Sequence, residues 1–249
     1  IRDVAVTGVQ TCALPISSIN VTVESGNTTP DVVTISRGFS FSSSLVDATS
    51  YNFTLLEDVT ATKSGTAFYF EDLKIYEGLL NNYQFTYNQN SNPKATFTLP
   101  DNRIDTSTIR VTVSPNSGNT FSEVYNLVTD ILDVTVSSSV YFLQEDRNGN
   151  YKIYFSDGTV GKALEDGAVI NVSYLVTSGP DANKAASFVP NASINGLTNI
   201  TVTTNTVASG GSNRETIDEI KFSAASQFSS QNRSEEHTSE LQSRLHLVC

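Results

Sequence analysis

Residues 139–184 read SVYFLQEDRNGNYKIYFSDGTVGKALEDGAVINVSYLVTSGPDANK. Tyr151, Ile153 and Phe155 alternate with Lys152 and Tyr154, and Ile170, Val172, Tyr174 and Val176 alternate with Asn171 and Ser173. Successive side chains on a strand point to opposite faces, so each run presents one apolar face and one wet face. Between the first two runs of the stretch lies Asn148-Gly149, a dipeptide that supplies the positive φ values of a type I′ turn. The pattern predicts a hairpin joining 140–144 to 151–155.

The same texture extends outward. Runs rich in Val, Ile, Thr and aromatic residues, bounded by Gly, Asn, Asp and Pro, predict strands at 51–57, 67–76, 83–87, 95–99, 109–113, 169–177 and 200–204. Residues 121–132 fit a helix by spacing (Phe121, Val124, Tyr125, Val128, Leu132), but their β-branched content and surroundings favour strand or loop. Helical spacing recurs at Ile217, Ile220, Ala224 and Phe228, after a Ser212-x-x-Glu215 capping box. Ala208 to Ser212 reads as a flexible linker before that helix. No repeat of fixed period occurs, which argues against a β-solenoid.

Both ends stand apart. Val6 to Ile16 read VTGVQTCALPI and Arg233 to Ser243 read RSEEHTSELQS, and both match translations of a short-read sequencing adapter on opposite strands. Residues 1–17 and 233–249 are therefore set aside as adapter-derived, as a fusion scar would be. They contain both cysteines (Cys12, Cys249) and both histidines (His237, His246), and the chain has no Met or Trp. The interior thus offers no disulfide, no thiolate and no imidazole for a metal, a nucleophile or a Ser-His-Asp triad. The expected organisation is a β-rich region at 18–136, a second β domain at 137–211, and a helix at 212–232 opening a truncated domain. The fold class is mainly β, with antiparallel, sandwich-like sheets.

Charge narrows the partners. With 26 acidic and 15 basic residues the chain carries −11 and has no Lys/Arg cluster, which argues against a nucleic-acid backbone as ligand. No apolar run approaches the roughly 20 residues of a membrane span. Ten Tyr and thirteen Phe supply side chains suited to an interface core.

The candidate chemistry is weaker than the structural reading of the same residues. Asp146, Asn148, Asn150 and Asp157 have calcium-loop spacing, but Tyr151 replaces the required Gly and Asp157 the required Glu, and the hairpin competes for them. Ser156 to Gly161 is glycine-punctuated but lacks the Lys-Ser/Thr of a phosphate loop and reads as a turn leaving a strand. The acidic pairs Glu71/Asp72, Glu145/Asp146 and Glu165/Asp166 would suit glycoside hydrolysis only if two carboxyls faced across a sugar. Adjacent acids on a strand diverge, and in turns they are solvated. The sequons at Asn20, Asn27, Asn52, Asn171, Asn191 and Asn199 follow from composition. No catalytic, cofactor-binding or metal-binding residue is assigned, and the chain is read as non-enzymatic.

The 139–184 stretch resembles the baseplate-J-like family, in which a strand leads into F-G-D-G-x-x-G, then P-x-x-G, a second strand and G-x-x-x-N. Here Phe155-Ser156-Asp157-Gly158 with Gly161 forms the turn; Ser156 replaces a Gly and Leu164 stands where Pro is usual. Leu73-Lys-Ile-Tyr-Glu-Gly78, Phe97-Thr-Leu-Pro-Asp-Asn102, Ile104-Asp-Thr-Ser-Thr108 and Glu215-Thr-Ile-Asp-Glu-Ile-Lys-Phe222 narrow the likeness to the large wedge subunit of T-even-type contractile-tailed phages. That resemblance implies a structural role in a tail baseplate, with contacts to other wedge and hub proteins and self-association in an inner ring. It implies location in the virion tail after assembly in the host cytoplasm, and no catalytic residues. A receptor-binding or adhesin-like β module, or a tail-associated glycan hydrolase, are the competing expectations.

Overall fold

The computed structural model describes residues 13–25, 30–44, 49–115, 121–146 and 148–214. Strands dominate, and every run predicted as strand lies on one. In chain order β1 is Ile16–Glu24, β2 Val32–Ile35, β3 Ser40–Ser44, β4 Ser50–Leu55, β5 Val59–Ser64 and β6 Ala67–Glu77. Next come β7 Leu79–Thr86, β8 Thr96–Thr98, β9 Arg110–Ser114, β10 Glu123–Leu127, β11 Val140–Glu145, β12 Tyr151–Phe155 and β13 Val169–Val176. The last two are β14 Val189–Pro190 and β15 Ile200–Ser209.

The first sheet runs β14-β3-β4-β6-β1-β15, with β2 and β5 branching from β6, and the second runs β7-β13-β9-β10-β11-β12-β8. The second sheet is thus inserted whole between β6 and β14, and the chain then returns to finish the first. The boundary expected at 136/137 falls inside the second sheet, since β10 and β11 pair across it and β8 pairs with β12. Local strand patterns carry no record of which distant strand will be the partner.

Each sheet has its own core. The first is built on Ile19, Val21, Phe41, Phe53, Phe68 and Ile75, and the second on Phe97, Val111, Tyr151, Ile153, Ile170 and Tyr174. The two sheets therefore do not enclose one shared sandwich core. Nor are they wholly antiparallel, because β10 and β11 are parallel. Residues 128–139 carry the chain back from the end of β10 to the start of β11, where a hairpin would have reversed the direction.

The hairpin between β11 and β12 is present, with Glu145 opposite Tyr151. Its turn is not type I′. The Asp146 N–H donates to the Asn150 carbonyl at 2.8 Å, so three residues lie inside the last bonded pair where a type I′ turn has two, and Gly149 among them has φ +82°. The Asp146 carboxylate accepts N–H bonds from Asn148 (2.9 Å) and Asn150 (3.0 Å), and this cap organises the longer loop.

The chain ends also depart from expectation. Ala208 is buried in β15, the Gly211 N–H and carbonyl are held by the Asn183 side chain at 3.0 and 2.8 Å, and the Ser212 N–H donates to the Ala13 carbonyl at 2.9 Å. A Cβ on Gly211 would lie 2.6 Å from both the Gly179 carbonyl oxygen and Pro15. The glycines at 208–212 permit a close crossing of chain segments instead of a flexible linker. Residues 13–17, set aside in the sequence reading, are likewise built into the fold. Leu14 is buried, the Pro15 carbonyl accepts from the Glu77 N–H at 2.9 Å, and Ile16 opens β1. The helix expected within 212–232 lies outside the described residues from 215 onward; Ser212 to Arg214 are not helical.

Candidate functional site

Of the segments singled out by family resemblance, 73–78, 97–102 and 104–108 meet β13 near the junction between the two sheets, and 215–222 lies outside the described residues. β6 ends at Glu77 and β7 begins at Leu79, so Gly78 is the whole link where the chain first passes from one sheet to the other. Its φ is +130° and a Cβ there would sit 2.7 Å from the Val176 carbonyl oxygen, which explains a glycine at this point. The Gly78 carbonyl accepts from Thr54 Oγ1 (2.8 Å) and its N–H donates to the Asn52 carbonyl (2.9 Å).

Glu77 is 2% exposed. Its Oε2 accepts from Thr177 Oγ1 at 2.6 Å and from the Ser178 N–H at 3.0 Å, linking the last residue of β6 to the end of β13. Burial raises the carboxyl above its ordinary range, against the pull of the Thr177 and Ser178 bonds and the Arg103 charge. A buried acid with its oxygens engaged by the opposite sheet is a lock. It fixes the orientation of one sheet on the other.

The other motif segments reinforce β13. Asp101 Oδ2 accepts from Tyr174 Oη (2.7 Å) and Asn81 Nδ2 (3.2 Å), and the aspartate and burial push the tyrosine hydroxyl far up. Asp105 caps the 3-10 turn Thr106–Thr108, accepting from the Ser107 N–H at 2.9 Å. Thr108 Oγ1 then accepts from the Leu175 N–H at 3.0 Å. An open recess of about 350 Å³ lies at the junction, bordered by Tyr51, Asn52, Glu77, Leu79, Asn81 and Arg103.

Residues weighed for chemistry are scattered and occupied. Asp146 caps its turn and pairs with Lys152 Nζ at 3.5 Å. Asp157 accepts from the Thr159 N–H at 3.0 Å, and Gly158 and Gly161 take φ +97° and +95° in the turn leaving β12. Asp166 caps the Gln89 N–H at 2.8 Å, and Asp72, at φ +53°, sits where β6 and β1 slip register and bonds Ser18 Oγ. Asp72, Asp146 and Asp166 thus serve a bulge or a turn, while Glu165 borders a small recess of about 70 Å³ with Glu123 and Lys162, whose side chains pair at 2.7 Å. Among the described residues no group of three or more His, Cys, Asp or Glu could hold a metal ion, and no helix is long and apolar enough to cross a membrane.

Most of the aromatic residues serve the two cores, while Tyr69, Tyr83 and Phe121 are exposed. Phe41, Phe53, Phe68, Phe70, Phe97, Phe155 and Phe188, with Tyr87, Tyr125, Tyr141, Tyr151 and Tyr174, are buried inside the two cores. The exposed apolar residues include Phe121 just before β10, Val124 on it, and Ile131, Leu132 and Val136 on the 128–139 crossover.

A comparison with curated proteins bears on this arrangement. The chain is 27% identical over 188 residues to the baseplate wedge protein gp6 of Enterobacteria phage T4, a match covering 68% of the chain. It is distantly related to a phage baseplate wedge protein. The match spans 26% of the length of that wedge protein. No family model matches the chain. Composition and periodicity gave Glu77 no role, because a carboxylate at a strand end is ordinarily solvated; only its place in the Glu77-Gly78 pair, inside a segment resembling the wedge family, singled it out.

Proposed function

We propose that this chain is a structural, non-enzymatic segment of a contractile-tail baseplate wedge of the baseplate-J-like kind, acting through protein–protein contacts in the virion tail. The observation that carries the reading is the similarity to the T4 wedge protein over 68% of the chain. Two features of the geometry support it: the Glu77 lock ties the two cores together, and Asp146 and Asp166 are engaged in capping turns. A part whose task is to transmit and hold shape needs such a joint. Other wedge and hub proteins, and further copies of the chain in an inner ring, are the proposed partners, with assembly in the host cytoplasm. The exposed apolar residues from Phe121 to Val136 offer one contact surface.

The test is co-expression of the chain with the proteins encoded beside its gene, followed by native mass spectrometry. A defined complex with a neighbouring tail protein is expected. A chain that ignores every tail component and degrades a host polysaccharide, with loss on mutating one carboxylate pair, would establish the hydrolase reading instead; specific retention on a host glycan without turnover would favour the adhesin.

We further propose an adapter origin for 1–17 and 233–249, and, within the expected 212–232 segment, a helix beginning after Arg214 and opening a further domain. The places of Leu14 and Ile16 require only apolar side chains continuing β1. Resequencing an independent clone should replace both ends; their persistence would refute the adapter origin.

A further inference from the structure

The outward face of the second sheet carries a second cluster, unconnected with the Glu77 lock. β7, β13 and β9 are neighbours, and Asn82, Ser173 and Arg110 stand in one cross-strand row, with Asn171 and Thr112 in the next. Arg37, from the turn between β2 and β3 of the first sheet, reaches over this face. Its Nη2 donates to Ser173 Oγ at 3.2 Å and its Nη1 to the Leu56 carbonyl. Arg110 is the paired neighbour of that same Ser173. Two guanidinium groups and four neutral polar side chains therefore border an open pocket of about 200 Å³.

No carboxylate borders it. In a chain with 26 acidic and 15 basic residues that absence is the unusual feature. The nearest acids act from outside: Asp58 Oδ1 is engaged by the Arg37 backbone N–H at 2.7 Å, and Glu57 lies beside it in the chain. A guanidinium has five N–H donors, and the two bonds made by Arg37 leave others free. The Asn171 amide oxygen is taken by Gln84 Nε2 at 3.0 Å, so its NH₂ remains as a donor. Two like charges held together among unspent donors form an acceptor-seeking site, and an oxyanion there would relieve the repulsion while completing the hydrogen bonds.

We propose that the Arg37–Arg110 pocket is a seat for a carboxylate side chain presented by an acidic segment of a protein partner. A nucleic-acid phosphate is disfavoured, because tracking a phosphate backbone needs a run of basic side chains and the sequence has no Lys/Arg cluster beside these two arginines. The pocket is also too small for more than one acidic head group and its immediate neighbours. This assignment does not depend on the baseplate reading.

The probe is a blocked tetraglutamate peptide, with the tetraglutamine peptide and inorganic phosphate as separate arms, followed by ¹⁵N NMR of the arginine side chains of the full chain. Tetraglutamate should shift the Arg37 and Arg110 signals, tetraglutamine should not, and added salt should weaken the effect. Arg110→Gln should lower the affinity about tenfold or more, since it removes one member of a charge-assisted pair, while the thermal unfolding midpoint stays unchanged because Arg110 is exposed. Arg37→Lys keeps the charge but loses the fork, and should lower affinity with Arg110 intact. Equal binding of the two peptides, binding that survives Arg110→Gln, response to phosphate alone, or no binding of any probe would each overturn the proposal.

Discussion

The two sheets solve the same packing problem with different residues. The first core is aliphatic and phenylalanine-based, with Phe53 edge-on to Phe188 at 4.9 Å and no tyrosine among its fully buried members. The second buries Tyr87, Tyr125, Tyr141, Tyr151 and Tyr174. A tyrosine brings apolar area together with a hydroxyl that must find a partner when buried. In the second sheet that demand fixes neighbouring loops, as Tyr174 fixes Asp101, whereas the first sheet is held by shape and area. The lesson is that the first core should fail by cavities and the second by orphaned polar groups.

Changes at four positions test that contrast, from largest effect to smallest. Phe53→Ala removes a fully buried ring and should cost about 3–5 kcal/mol in denaturant unfolding. A loss under about 1 kcal/mol would mean the first core is loosely packed.

Glu77→Ala should come next. It strips the Ser178 N–H and a Thr177 hydroxyl bond of their acceptor, at about 1–3 kcal/mol. Glu77→Gln separates shape from charge. The folded carboxyl is raised above its unfolded value near 4.5, so the folded form holds its proton more tightly. The associated stability is present at acid pH and is lost as pH rises through the folded value. Melting curves of the two proteins should therefore converge at low pH, and the Glu77 protein should weaken relative to Glu77→Gln toward neutral pH. Parallel curves would mean the carboxylate is fully compensated.

Tyr174→Phe keeps the ring and removes only the hydroxyl, leaving Asp101 with Asn81 as donor; about 1 kcal/mol is expected. If it cost as much as Phe53→Ala, the distinction between the cores would collapse. Lys162→Ala should be smallest. The Lys162–Glu123 pair is close, at 2.7 Å, and lowers the Glu123 carboxyl mainly by that hydrogen bond, but both side chains are well exposed. A few tenths of a kcal/mol, fading with salt, is expected from equilibrium unfolding.

Much of the second sheet was legible in the sequence because its strands alternate cleanly, as the 151–155 and 169–177 runs do. The first sheet was less so. β3 is Ser-Phe-Ser-Ser-Ser, whose single apolar residue gives no period, and β14 is two residues long and exists because β3 offers it an edge. β1 alternates at Ile19, Val21 and Val23, yet its opening lay in a segment set aside. The strand or loop expected at 121–132 proved to be both: β10 followed by the crossover. The Asn148-Gly149 signal placed the hairpin correctly and misjudged its turn, since the dipeptide does not reveal the Asp146 cap. Glu77 and the two arginines were not found, because a strand-end acid and two arginines 73 positions apart acquire meaning only when the sheets meet.

The sequence by itself determined the strands, their buried faces, the punctuating turns and the likeness to a wedge subunit. These depend on local backbone preference and on which side chains leave water, and both are written residue by residue. The tertiary structure alone decided that the second sheet is inserted into the first, that β15 closes on β1, and that Glu77 and Arg37 each reach across to the other sheet. Partner choice among strands is a long-range competition for edges and cores, and no short stretch of chain records its outcome.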